Sequence, residues 1–262
     1  MTSSSEKSLV RPEFAIIDEL IQIPDVSPAE AVQRLLRVRE VLHEERQESE
    51  SPSSIDGNHA WYTISKLVEK AETTPAAQQY KLLDFVALLQ RTKVIDPATG
   101  EQPTAVDLKL WNELPYLKYA RQIDEDPQRE YPPRDLQKWE NRNAFMAQLT
   151  ARANYFCEYM DASLYAFYSC RSAFEQGPLI EEAVRTACIW YIYAGQRVWE
   201  NCQAQRHFGD DDDPPPRRCM TMEKWSLWKD RLKTAQLEFP RESTQEMIRK
   251  ALEEIKKAEH GE

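Results

Sequence analysis

Leu179–Gln203, LIEEAVRTACIWYIYAGQRVWENCQ, is the stretch whose reading decides the fold. From Ala187 to Ala194 every residue is apolar or aromatic. A surface helix carries an apolar stripe with polar residues behind it. A segment that is apolar on all sides is instead a helix wrapped by other helices, or a buried strand. The β-branched and aromatic residues suit a strand, but the flanks decide for a helix. Glu181, Glu182, Ala183 and Arg185 before the run, and Gln196 to Gln203 after it, continue a helical pattern. The apolar run is too short to span a bilayer. The reading is a central buried helix with the rest of the chain packed around it.

Outward from that segment the signals are helical. The chain of 262 residues holds 16 Pro and only 6 Gly, a ratio that suits helices opened by proline better than a turn-rich β fold. Ser27-Pro28 with Glu30 reads as a capping box, as do Thr104 with Asp107 and Ser243 with Glu246; Thr74-Pro75 and Thr221 read as further helix starts. From Arg134 to Gln176 apolar residues recur at threes and fours. One helix of that length would reach roughly 60 Å, so a break is expected near Asp161 or Asn141. The expected class is all-α: a single helical domain of about eight helices packed around the central one. Its expected layout is an N-terminal arm and short helix at 1–26, a helical domain at 27–258 and a tail at 259–262. Within the domain a polar loop is expected at 44–58, and an acidic, then proline-rich loop at 207–218.

The bulk chemistry excludes several functions. A net charge of −10 opposes binding to DNA and to anionic membranes, which need a basic surface. The 5 Cys form no CxxC pair and are odd in number, which suits reduced thiols in a cytoplasmic protein. The opening MTSSSEKSLVRPEF has no apolar core of a secretory signal. No GxGxxG, P-loop, HExxH or GxSxG occurs, so no cofactor is expected. A single Glu-x-x-His, Glu40 to His43, lacks the second copy that a di-iron bundle requires. Asp210 to Asp213 beside His207 are consecutive, whereas a calcium loop alternates its ligands. No metal is expected.

The polar groups that accompany the aromatic core are the candidate ligand-binding set. Arg185, Tyr193, Arg197 and Glu200 fall near one face of the central helix, with Trp190 in its core; Arg152, Asn154 and Glu158 belong to the preceding helical region. Two such faces meeting would form an aromatic-walled cavity with convergent charges, the form of a small-molecule site. The same residues in mutual contact would be an Arg–Glu network joining two helices. Catalytic residues cannot be assigned from the pattern.

Two segments carry a family resemblance. Trp139 to Leu149, WENRNAFMAQL, is similar to a W-x-N-x-N-A-F-x-A-x-L signature, with Gln148 where an Arg is expected. Thr221 to Leu232, TMEKWSLWKDRL, is similar to an E-x-W-x-x-W-K-x-R segment. Together they resemble a fungal family of unknown function, the domain of unknown function 3632 type, often named after the oxopyrrolidines biosynthesis cluster protein G. The resemblance implies a helical, intracellular fungal protein linked to secondary metabolism, and it carries no catalytic residues. The expected function is a binding or accessory module for a small metabolite or a partner protein. The alternative is a tailoring enzyme, cyclase or synthase (remotely, aminoacyl-tRNA-dependent) working in the aromatic cavity. A third class is a helical scaffold without a small ligand.

Overall fold

The computed structural model describes residues 11–45, 51–96, 99–120, 135–153, 160–209 and 218–261. They form an all-α structure of ten α-helices, with one 3-10 turn and one minimal hairpin. The chain divides into two compact units, Met1–Arg121 and Gln122–Glu262, each with its own core.

The C-terminal unit contains α6 (Leu136–Arg152), α7 (Ser163–Phe174), α8 (Glu181–Gln203), α9 (Met222–Glu238) and α10 (Glu242–His260). Helix α8 is the segment that opened the sequence reading, and it packs against the other four. Thr186 to Tyr191 are buried at every position, so the helix is enclosed on all sides for more than one turn. Trp190 and Tyr191 are both 0% exposed. The helix is interrupted at Ala194 (φ −138°, ψ 21°), and Ile192 and Tyr193 just before the interruption are half-buried. The break expected in the preceding helical region falls between Arg152 and Ser163 and includes Asp161.

The N-terminal unit contains α1 (Pro12–Gln22), α2 (Pro28–Glu44), α3 (Pro52–Thr73), α4 (Tyr80–Arg91) and the short α5 (Pro115–Ala120). Helix α1 packs on α2, α3 and α4. Its link to α2 is fixed by Lys81 of α4, whose ammonium donates to the carbonyls of Ile23, Pro24 and Val26 at 3.1, 2.8 and 2.9 Å. Ser27 caps α2 as read, accepting the Glu30 N–H at 3.1 Å.

Four expectations are corrected. The polar loop at 44–58 is shorter, because α3 starts at Pro52 with Ser51 accepting the Ser54 N–H at 3.1 Å. Nor is the whole stretch solvated: Asp56 is 0% exposed and is held by α2. Thr104 opens a hairpin rather than a helix. Thr104–Ala105 (β1) pairs with Leu108–Lys109 (β2) across Val106 and Asp107, at φ 52° and 62°. Pro115 then begins α5, at the first helical position where its missing N–H costs nothing. Thr74-Pro75 ends α3 and leads through the 3-10 turn Ala76–Gln78, and Gln79 closes the junction by donating to the carbonyls of Ala71 and Thr74. Finally, α10 begins one residue before Ser243, which lies inside the first turn and is not its cap. In the acidic and proline-rich loop, residues 210–217 lie outside the described set. Its two ends pair through a bridge between His207 and Cys219, with Phe208 N–H on the Arg218 carbonyl at 2.9 Å.

Gly195 follows the interruption in α8, where α10 passes close. A Cβ there would lie 3.7 Å from the Glu254 Cβ, an ordinary contact, and the backbone is not left-handed. Gly195→Ala is therefore expected to raise stability by about 0.5–1 kcal/mol through the lower entropy of the unfolded chain. Chemical denaturation of both forms checks this, and a destabilised variant would mean that α8 and α10 tolerate no side chain there.

Candidate functional site

Arg185 stands where three helices meet. Its Nε and Nη2 donate to the two carboxylate oxygens of Glu140 on α6, at 2.6 and 3.0 Å. Its Nη1 donates to the hydroxyls of Ser243 and Thr244 on α10, at 3.2 and 3.1 Å. Thr244 donates in turn to Glu181 at 2.5 Å. Two-point pairing of this kind fixes orientation as well as charge. One turn further along α8, Trp190 donates from Nε1 to Asn143 Oδ1 at 3.1 Å, and Trp139 of α6 donates to Thr186 at 3.0 Å. Trp139, Glu140 and Asn143 all belong to the first resembling segment, which is thus the face of α6 that grips α8.

The second resembling segment does the same for α9. Trp228 Nε1 and Lys224 Nζ share the carboxylate of Glu175, at 2.9 and 2.8 Å. Trp225 Nε1 and Lys229 Nζ share that of Glu259, at 2.9 and 2.5 Å. Each buried indole N–H is satisfied, and each carboxylate is neutralised by a lysine on the same helix.

Of the remaining candidates on α8, Tyr193 immediately precedes the interruption at Ala194, and Arg197 and Glu200 follow it. Arg197 donates to the Ala153 carbonyl just past α6 and lies 3.7 Å from Glu200. Glu200 is exposed and accepts from Gln196 at 3.1 Å. Tyr193 is half-buried, and burial pushes its phenol above the ordinary value, opposed by the charge of Lys250. Arg152 is exposed on the last turn of α6, and Asn154 and Glu158 lie outside the described residues. Arg185 and Trp190 therefore serve the α6–α8–α10 junction. Tyr193, Arg197 and Glu200 form a separate group, since Arg185 and Arg197 stand about 18 Å apart along the helix at 1.5 Å per residue. Of the two arrangements weighed from sequence, Arg185 adopts the Arg–Glu network, with Glu140 as partner.

A family model described as "Protein of unknown function (DUF3632)" matches residues 61–232. The chain belongs to the DUF3632 family. No curated protein and no solved structure matches the chain. The DUF3632 match covers both resembling segments and begins within α3. The polar cluster that sequence reasoning missed lies before the matched residues, in the N-terminal unit. There Arg39 of α2 donates from Nε and Nη2 to the two oxygens of Asp56, at 2.6 and 2.8 Å, and His43 Nε2 lies 2.9 Å from Oδ1. One turn along α3, His59 meets Glu13 of α1 through Nδ1 at 2.8 Å and the Leu35 carbonyl of α2 through Nε2 at 3.1 Å. Burial alone would raise the Glu13 carboxyl, but the hydrogen bond from His59, a backbone hydrogen bond and the charges of His59 and Arg11 hold it below the ordinary value. His43, the one metal-like histidine of the sequence, is thus a partner of Asp56. The helix spacing of His43, Asp56 and His59 gave no hint, because the pairs join residues 17 and 46 apart in sequence.

Among the described residues, no three His, Cys, Asp or Glu side chains are grouped to hold a metal, and no helix is long and apolar enough to cross a membrane. The described thiols, Cys170, Cys188, Cys202 and Cys219, are free and buried; Cys157 lies outside the described residues. Burial pushes Cys170 and Cys188 well up, and Cys202 up to about 12. The thiolate is the nucleophile, so these groups are inert while the unit is folded.

Two outcomes follow for this DUF3632 protein. Glu140→Ala removes the buried carboxylate that holds the half-buried Arg185 and is expected to cost about 3–5 kcal/mol in denaturant unfolding, whereas Arg197→Ala removes one charge-assisted hydrogen bond, about 1.5–3 kcal/mol. Equal losses would contradict the assignment of Arg185 to the junction. The buried thiols contribute to the loss of stability at alkaline pH. They stay protonated in the folded state while the unfolded chain ionises from the ordinary value of 9.0. Stability from this source is full below pH 9.0 and is lost as pH rises above it. Unfolding scans against pH, with iodoacetamide labelling of Cys170 and Cys188 read by mass spectrometry, should show the two changes together.

Proposed function

We propose that this protein is a non-catalytic accessory module of fungal secondary metabolism, cytoplasmic, that binds a small metabolite or a partner protein. The resemblance supplies the fungal and biosynthetic setting. The observation that supports a non-catalytic role is the commitment of Arg185. Its bidentate hold on Glu140 and its bonds to Ser243 and Thr244 leave little of the guanidinium to meet a ligand. The charge of Arg185 is spent on holding helices together.

The interruption of α8 at Ala194 favours a second reading. Breaks inside a helix often mark sites of function, and here Tyr193 and Arg197 flank one, both half-buried. A tailoring enzyme or cyclase would use those two side chains.

The two readings separate by metabolite profiling of a fungal host expressing the wild type or Arg197→Ala, alongside thermal unfolding of the purified protein with fractions of host extract. The accessory module is expected to leave the product profile the same for both forms, and a bound metabolite at 100 times its Kd should add about 2.7 kcal/mol of stability. A new product that disappears in Arg197→Ala would establish the enzyme instead.

A further inference from the structure

The described interior of the N-terminal unit contains two polar atoms that lack a partner and stand around one imidazole. Glu13 is 1% exposed; its Oε1 is bonded to His59, but its Oε2 meets no donor. Trp111 is 2% exposed, its ring packs edge-on to the His59 ring with centroids 5.6 Å apart, and its Nε1 meets no acceptor. One is an acceptor and the other a donor. A carboxylate oxygen or an indole N–H left bare in a protein interior costs about 1–3 kcal/mol, and more for the charged group.

His59 orients the Glu13 carboxyl. Its Nε2 faces the Leu35 carbonyl, which can only accept, and its Nδ1 shares one hydrogen with Glu13 Oε1. Whichever of the two atoms carries that hydrogen, Oε2 is left as an acceptor. On the flanking helices Arg39 and Asp56 neutralise one another, with His43 on the same carboxylate.

We infer that Glu13, His59 and Trp111 form an interior binding site for one water molecule, built on the Glu13–His59 hydrogen bond. The water donates one O–H to Glu13 Oε2 and accepts the Trp111 Nε1 hydrogen. Buried waters make two to four such bonds to groups otherwise unsatisfied, and they persist because removing them exposes those groups. The site joins α1 and α3 to the turn that carries Trp111, which no direct protein bond from either orphan atom does. It is independent of the proposed function.

Two measurements on the full-length wild-type protein test it. In a high-resolution crystal structure, one ordered solvent peak is expected within about 2.7–3.2 Å of both Glu13 Oε2 and Trp111 Nε1. In NMR of the protein in water, a water cross-peak to the Trp111 indole hydrogen is expected. No solvent at that position, two separate waters, or a protein partner for either atom would overturn the site. Trp111→Phe, which keeps an aromatic ring and removes the donor, is expected to abolish the bridging peak.

Discussion

The C-terminal unit depends on finding an acceptor for each indole N–H that its aromatic core buries. Four tryptophans of α6, α8 and α9 place their N–H groups on Thr186, Asn143, Glu259 and Glu175. Large aromatic side chains give a small unit much of its buried apolar area, but the polar edge of each ring must be met or the gain is offset. The solution on α9 is economical in residues: a lysine on the same helix neutralises each carboxylate that takes an indole. The acceptors of the Trp139 and Trp190 N–H groups at α8 are neutral, as suits a helix enclosed on all sides, and the Arg185–Glu140 pair stands at the edge of that enclosed stretch.

The central helix could be read from sequence because its signal is local. Eight apolar residues between helical flanks leave few alternatives, and so do the caps at Ser27 and Thr221, where the bonding residues lie three apart. The failures are of another kind. Asp56 makes 51–58 look like a solvated loop until Arg39 and His43 are seen to pull it inward. Thr104 and Asp107 have the spacing of a capping box, yet the chain turns back at Val106, a β-branched residue at positive φ that local preference disfavours. At Asp56 tertiary contacts override a local rule, and a single sequence carries no record of those contacts.

The candidate site was legible to the same extent. Arg185 and Trp190 were recognised as central, and an Arg–Glu network was among the readings, but the partners that α6 supplies to them, Glu140 and Asn143, were not among the candidates. Periodicity says which residues share a face. It does not say at what height two helices cross, and a shift of two or three turns along α6 exchanges one set of partners for another. The charged interior of the N-terminal unit was invisible for a stronger reason, since its pairs come from three helices far apart in sequence.

This pattern bears on what family membership conveys. The segments that carry the likeness, around Trp139 and around Trp225, contribute residues whose contacts are the grip of α6 on α8 and of α9 on α7 and α10. Likeness at such positions transmits a fold, because a changed indole or carboxylate there leaves a buried group unpaired. It does not transmit a reaction, which would need side chains with unspent hydrogen-bonding capacity facing a ligand. Any function common to the family must then be sought away from these packing residues, on groups such as Tyr193 and Arg197 beside the interrupted turn or on the outer faces of the helices.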